Sequence, residues 1–261
     1  MFSKEIKFMT KIKLISDIHV DCGKQQDKGF SFIDSLPNDN VDVLVLAGDI
    51  VTGGELENYF DTFKYLCDKY KEVVFVLGNH DYYGHSISET QDIAKTFAGR
   101  ISNLHYLQNE RKNISGQWFV GTTLWFPEIE HMPGKFNWID FRLIPDGSRE
   151  IFKEHIFARE YLQNNLQEGD VLITHHIPNR LLVHSRYKGD SYNCYFVGHI
   201  GDIIQNKKPS HVLFGHSHLS VDKEIAGIRY ILNPRAYPHE WDECGFDKEI
   251  IIDTELDKKY T

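Results

Sequence analysis

Much is missing from this chain of 261 residues, and each absence excludes something. Its four cysteines, Cys22, Cys67, Cys194 and Cys244, lie far apart and form no C-x-x-C pair, so neither a zinc ribbon nor a dense disulfide framework is expected. Proline is scarce, at 8 residues against 19 glycines, and no internal repeat or low-complexity linker appears, which removes collagen-like and disordered classes. The longest apolar runs, such as Val43–Ala47, are strand-sized and far too short to span a bilayer. The opening residues Met1-Phe2-Ser3-Lys4-Glu5-Ile6-Lys7 interleave charges with their few apolar residues and lack the core of a secretory signal. A cytoplasmic protein with reduced cysteines is expected, with Met9 as a second candidate start. There is no long basic run, and the formal charge is −9. A protein held to nucleic acid or anionic membrane by its overall field is therefore disfavoured. Residues 48–54 follow a strand-like run, but they are not G-x-G-x-x-G and carry no Walker lysine, so no nucleotide fingerprint is read there.

What is present is a globular composition, 41% apolar and 13% aromatic, at a length able to bury roughly three quarters of its surface. One domain over residues 1–261 is expected. Short β-rich segments recur at 11–16, 41–47, 73–77, 118–123, 170–174 and 210–214, with two or three further ones at 225–232 and 250–252. Between them, 55–69, 151–166 and, more weakly, 88–98 carry apolar residues at helical spacing. Strands alternate with helices in the first half and crowd together later. This reads as an α/β fold with either one large mixed sheet or two packed sheets. Two stretches look irregular. Residues 126–148 hold Phe126, Phe136, Trp138 and Phe141 among prolines and glycines, suggesting a lid or insertion loop, and 179–192 mix Arg180, Arg186 and Lys188 with Tyr187.

Fourteen histidines are many. Six fall just after predicted strands, in Asp17-Ile18-His19, Gly78-Asn79-His80-Asp81, His175-His176 and Gly215-His216-Ser217-His218, while Gly48-Asp49 adds a carboxylate at a similar place. In α/β sheets the crevice beyond the carboxyl ends of the strands is where ligands bind. Residues i and i+2 of an extended segment face the same side, so Asp17 with His19, and His216 with His218, can each present two donors to one small volume. The donors are imidazole, carboxylate and one amide oxygen without thiolate, which suits Mn, Fe, Zn or Ni. Asp17, His19, Asp49, Asn79, His175, His216 and His218 make seven ligands, too many for one tetrahedral ion and right for two sharing Asp49.

These ordered blocks, D-x-H, G-D, G-N-H-D, H-H and G-H-x-H, resemble those of the calcineurin-like metallophosphoesterases, and the resemblance runs from about residue 11 to 253. Asn233-Pro234-Arg235 is also similar to a segment of that family, although Ala236 stands where a glycine often follows, a departure expected to be peripheral. The resemblance implies a two-sheet β-sandwich flanked by helices and two metal ions. One would be held by Asp17, His19, Asp49 and His218, the other by Asp49, Asn79, His175 and His216. It further implies that His80 is an unliganded catalytic histidine whose ring Asp81 orients.

Elementary electrostatics agrees: two divalent ions with two carboxylates and a bridging hydroxide leave a site of about +1, which attracts phosphate into an acidic protein. Bound water with its pKa lowered to roughly 7 would supply hydroxide for in-line attack on phosphorus. Arg142, Arg180, Arg186, Lys188 and Arg235 are further candidates for phosphate contacts by charge, although surface ion pairs are their commoner role. The expected activity is hydrolysis of a small phosphodiester or nucleotide. A phosphoprotein or phosphomonoester phosphatase, a non-catalytic scaffold, and a redox metal site are the alternatives.

Overall fold

Alternation along the strands decides the architecture. In β2 (Val43–Ala47), Val43, Val45 and Ala47 share one face and Leu44 and Leu46 the other, and all five are fully buried. A strand apolar on both faces needs a cover on each. The computed structural model, which describes residues 10–22, 27–52 and 55–254, supplies both. Met9, Gly53 and Gly54 lie outside the described residues, as does the side chain of Phe136.

Strand β1 (Lys11–Ile15) pairs in parallel with β2, β2 with β3 (Glu72–Val76), and β3 with β4 (Leu104–Tyr106). The second sheet begins with β5 (Glu110–Ile114) and β6 (Gln117–Thr122), continues through β7 (Val171–Thr174) and β8 (His211–Phe214), and ends with the hairpin of β9 (Val221–Ile225) and β10 (Ile228–Leu232). A short β11 (Ile252–Asp253) returns to β1 in antiparallel fashion, giving five strands in one sheet and six in the other among the described residues. Ile12, Leu14, Val45 and Val76 of the first sheet meet Phe119, Ile173, Leu213 and Ile231 of the second in a core between the sheets.

Helices α1 (Phe30–Ser35), α2 (Phe60–Lys69) and α3 (Ile87–Ala98) cover the outer face of the first sheet, sealing it with Phe32, Phe63, Leu66 and Phe97. A short α4 (Ile139–Leu143) leads into α5 (Gly147–Asn165), which with α6 (Gly201–Lys207) covers the second sheet through Ala158, Leu162, Ile203 and Ile204. The layers therefore run helix, sheet, sheet, helix, as the family resemblance implied.

Local details sharpen the expectations. Residues 225–232 hold the end of β9 and all of β10: Ala226 and Gly227 both take positive φ, at 52° and 75°, and turn the chain tightly between the two strands. A two-residue loop with both residues left-handed matches the right-handed twist of the flanking strands. Strands β4 and β5 went unread, because one is three residues long and the other, Glu110-Arg111-Lys112-Asn113-Ile114, is a charged edge strand. Residues 126–148 are only partly irregular, since they contain α4 and the start of α5.

Candidate metal centre

The parallel strands β1, β2 and β3 of one sheet and β7 and β8 of the other all end at the same edge of the sandwich, so their following turns converge. These turns are tight. Gly48 adopts φ 88°, and a Cβ on Gly78 would collide with the Asp49 carboxylate. Asp17, His19, Asp49, His216 and His218 also take left-handed backbone, with φ of 51°, 44°, 53°, 77° and 51°. Such a conformation costs a residue with a side chain about 1–2 kcal/mol.

Backbone hydrogen bonds hold them there. Asp17 N–H donates to Gly48 O at 3.0 Å and His19 N–H to Asp49 O at 3.1 Å, while Arg235 N–H reaches Ser16 O at 3.0 Å and Ala236 N–H reaches Asp17 O at 2.9 Å. The segment from Asn233 to Ala236 is thus not peripheral: it braces the turn that carries Asp17. Ala236 itself has φ 62°, which explains why a glycine would suit that position.

Donor atoms of Asp17, His19, Asp49 and His218 lie within 4.8 Å of one another, and those of Asp49, His175 and His216 form a second such group that shares Asp49. Asn79 joins the second group, its Oδ1 lying 3.1 Å from His175 Nε2. Of the adjacent pair at the end of β7, His175 faces Asp49, whereas His176 is buried behind it against Trp125, with Nδ1 near Thr123 O.

The hydrogen bonds reveal what is needed between these groups. His175 Nδ1 donates to Ala47 O at 2.9 Å, so Nε2 is the nitrogen that faces Asn79 Oδ1 at 3.1 Å and Asp49 Oδ1 at 3.4 Å. His218 Nδ1 donates to Glu240 Oε2 at 2.7 Å, so its Nε2 is the nitrogen that faces His19 Nε2 at 3.3 Å and Asp17 Oδ1 at 3.6 Å. His216 Nε2 is buried without a partner among the described residues. Imidazole nitrogens, carboxylates and an amide oxygen thus converge in one buried site, and this donor set fits divalent cations, which displace the ring protons on binding.

Charges respond accordingly in the metal-free protein. Burial lowers His19 to about 3 and holds His216 well below its ordinary value, so both rings are neutral. Burial also opposes the charged form of His175, but Asp49 outweighs it and raises the ring to about 9. Burial pushes the Asp49 carboxyl up, yet His175 and His80 prevail and keep it well below the usual carboxylate range. Cys22 is no competing ligand, since burial and Asp21 push its thiol up to about 11.

His80 and Asp81 do not form the expected pair. The Asp81 carboxylate accepts four backbone N–H groups: Asp49 at 2.9 Å and Gly78 at 2.7 Å on Oδ2, Ile50 at 3.0 Å and Val51 at 2.9 Å on Oδ1. It clamps the turn that carries Asp49 and has no hydrogen bond to the His80 ring. Burial and the neighbouring Asp49 push the Asp81 carboxyl up, while those N–H groups favour its charged form. The His80 ring instead lies beside Tyr83, at 4.5 Å between centroids, with the Tyr237 hydroxyl 3.3 Å from Nε2. Its backbone N–H donates to Asp49 Oδ1 at 2.9 Å.

A cavity of about 480 Å³ opens onto Asp49, His80, His216 and His218. Its walls are aromatic, with Tyr83, Trp138, Tyr187, Tyr192, Phe196 and Tyr237, and among the described residues no lysine or arginine lines it. The basic candidates from the sequence are spent elsewhere or stand aside. Arg186 pairs with Glu243 at 3.0 Å, and Arg235 is sandwiched between Phe32 and Trp241. Of the aromatic residues in 126–148, Trp138 reaches the cavity, while Phe126 and Phe141 pack with Phe152 and Tyr195. Glu240, Tyr237, Tyr83 and Asp140 went unread as site residues, because nothing in their spacing distinguishes them from other surface or core positions.

The architecture has known counterparts. A solved structure of phosphopantetheinyl hydrolase from Mycobacterium tuberculosis superposes with a TM-score of 0.67 at 16% identity, covering 91% of this chain and 93% of that one. A putative 5'-nucleotidase from Staphylococcus aureus gives 0.47 at 11% identity, over 87% of this chain and 48% of that one. No curated protein matches the chain significantly by sequence. The sequence profile of the calcineurin-like phosphoesterases matches residues 10–220, a span that takes in every turn of the centre. The chain therefore belongs to the calcineurin-like phosphoesterase family and is a metal-binding hydrolase of phosphoesters.

Proposed function

We propose that this protein hydrolyses a small phosphodiester or nucleotide at two divalent ions, one held by Asp17, His19, Asp49 and His218, the other by Asp49, Asn79, His175 and His216. The observation that carries the reading is the convergence of buried donor atoms in two groups that share Asp49, beside an aromatic cavity. When bound, such ions supply Lewis acidity at phosphoryl oxygens and water acidic enough to deprotonate near neutral pH.

The chain's own residues do the rest. Glu240 and the carbonyl of Ala47 fix the tautomers of His218 and His175 by accepting their Nδ1 protons, which keeps each Nε2 available as a donor of electrons. His80, whose ring lines the cavity, protonates the departing oxygen, and the Tyr237 hydroxyl holds the imidazole in place. The walls favour a flat substituent next to the phosphate, since aromatic faces stack on rings. With no lysine or arginine on those walls among the described residues, a substrate carrying one phosphate is favoured over a polyphosphate.

The test strips the protein with chelator, reloads it separately with Mn, Zn, Ni and Fe, and measures bound metal, thermal midpoint and turnover of an aryl phosphate diester and monoester. Two ions per chain, a raised midpoint and faster diester hydrolysis are expected. Two ions with no hydrolysis under any metal would establish a scaffold instead, and failure to bind a pair of ions would remove the reading altogether.

A further inference from the structure

Asp140, the second residue of α4, is a fully buried carboxylate far from every motif of the centre in sequence. Three donors converge on it. Asn79 Nδ2 reaches Oδ1 at 2.9 Å, the Tyr83 hydroxyl reaches the same oxygen at 2.7 Å, and Trp138 Nε1 reaches Oδ2 at 2.8 Å. Tyr83 is also within 3.1 Å of Asn79 Nδ2, so amide, phenol and carboxylate close a small ring of hydrogen bonds.

An asparagine amide can present either end to a metal, and only its oxygen binds. Rotating the Asn79 amide by half a turn would set its oxygen against the Asp140 carboxylate and its NH₂ toward the cation site, which are both unfavourable. The Asp140 carboxylate thereby dictates which end of the amide faces His175 and Asp49. Its other oxygen holds Trp138, whose indole stacks on Tyr195 with centroids 3.9 Å apart and lines the cavity.

Building on the two-ion reading above, we infer that Asp140 is a positioning residue that sets the Asn79 oxygen toward one of the two ions and fixes the substrate-facing wall at Trp138. Groups that orient metal ligands in this way typically change metal affinity by about 10–100-fold when altered. The effect is confined to the ion bound by Asp49, Asn79, His175 and His216, because Asp140 is bonded to no member of the other set.

The experiment is calorimetric titration of the chelated protein with Mn²⁺ and, separately, Zn²⁺, comparing the parent with Asp140→Asn and with the milder Tyr83→Phe, each checked for native circular dichroism. Asp140→Asn should weaken one of the two ions by about 10–100-fold and leave the other unchanged. Tyr83→Phe should weaken the same ion by a smaller factor, so a folding failure of the first variant still leaves a reading. Equal weakening of both ions would mark a general structural role and overturn the inference. So would two ions bound at parental affinity in both variants, with the two-ion reading left standing. A parent that binds no pair of ions would remove that reading and this inference together.

Discussion

Replacing Asp81 with asparagine separates two roles that the motif alone cannot. Each Asp81 oxygen accepts two backbone N–H groups, those of Asp49 and Gly78 on one side and those of Ile50 and Val51 on the other. An amide offers one acceptor oxygen and one NH₂, so whichever way it lies, two buried N–H donors of the turn meet a donor. Leaving a buried donor unsatisfied costs about 1–3 kcal/mol, and hydrogen bonds to a charged group contribute more than neutral ones. Two such donors give a loss of about 2–6 kcal/mol.

For a chain of this size each kcal/mol moves the thermal midpoint by about 2–4 °C, so Asp81→Asn should lower it on the order of 10 °C. The assay is urea unfolding of the metal-free protein followed by circular dichroism, read together with metal content and turnover. The result that would refute the reasoning is an Asp81→Asn protein within about 1 kcal/mol of the parent but slower in turnover. That pattern would place Asp81 in the chemistry through His80, or would mean the carboxyl is protonated in the native state, where the amide mimics it.

Three further outcomes are expected. His80→Ala should keep both ions and lose about 10²–10⁴-fold in turnover, as removal of a proton donor does; metal analysis beside kcat checks it, and parallel loss of metal would argue against the role. The metal-free protein should lose stability as pH rises, because the folded pKa of His175 is raised from 6.5 to about 9. Its contribution is fully present below pH 6.5 and disappears as pH passes 9, whereas metal affinity climbs over the same window as the competing proton leaves. Unfolding free energies and titration calorimetry from pH 6 to about 9.5 read both slopes, and a flat pair would refute the assignment. Arg235→Met should leave turnover at the parental level and destabilise by about 1–2 kcal/mol, since the guanidinium sits between Phe32 and Trp241 and away from the cavity. A drop in kcat would return this arginine to the phosphate.

The sequence carried the strands that are buried on both faces, because unbroken runs such as Val-Leu-Val-Leu-Ala need no tertiary context to be read. It did not carry β5, whose charges suit an exposed edge, or the hairpin turn, where Ala226 hides a left-handed residue under an ordinary name. The donor set was legible because its members cluster in short blocks at strand ends. Their supports were not: Glu240 lies 22 residues beyond His218, and Asp140 lies 61 beyond Asn79. The clamp that Asp81 forms is illegible for a related reason, since the groups it binds are backbone amides, and every residue but proline has one.

The left-handed turns at Asp17, His19, Asp49, His216 and His218 have a consequence for how such a protein changes over time. A glycine at one of these turns would relax the backbone by about 1–2 kcal/mol, but at Asp17 or Asp49 it would also strand the His216 or His80 backbone N–H that the carboxylate accepts, so relief and loss oppose each other while the centre empties. Shedding a ligand here therefore costs less than shedding an ordinary buried side chain, and a descendant that stopped hydrolysing esters would keep most of its frame, free to be recruited for holding other proteins.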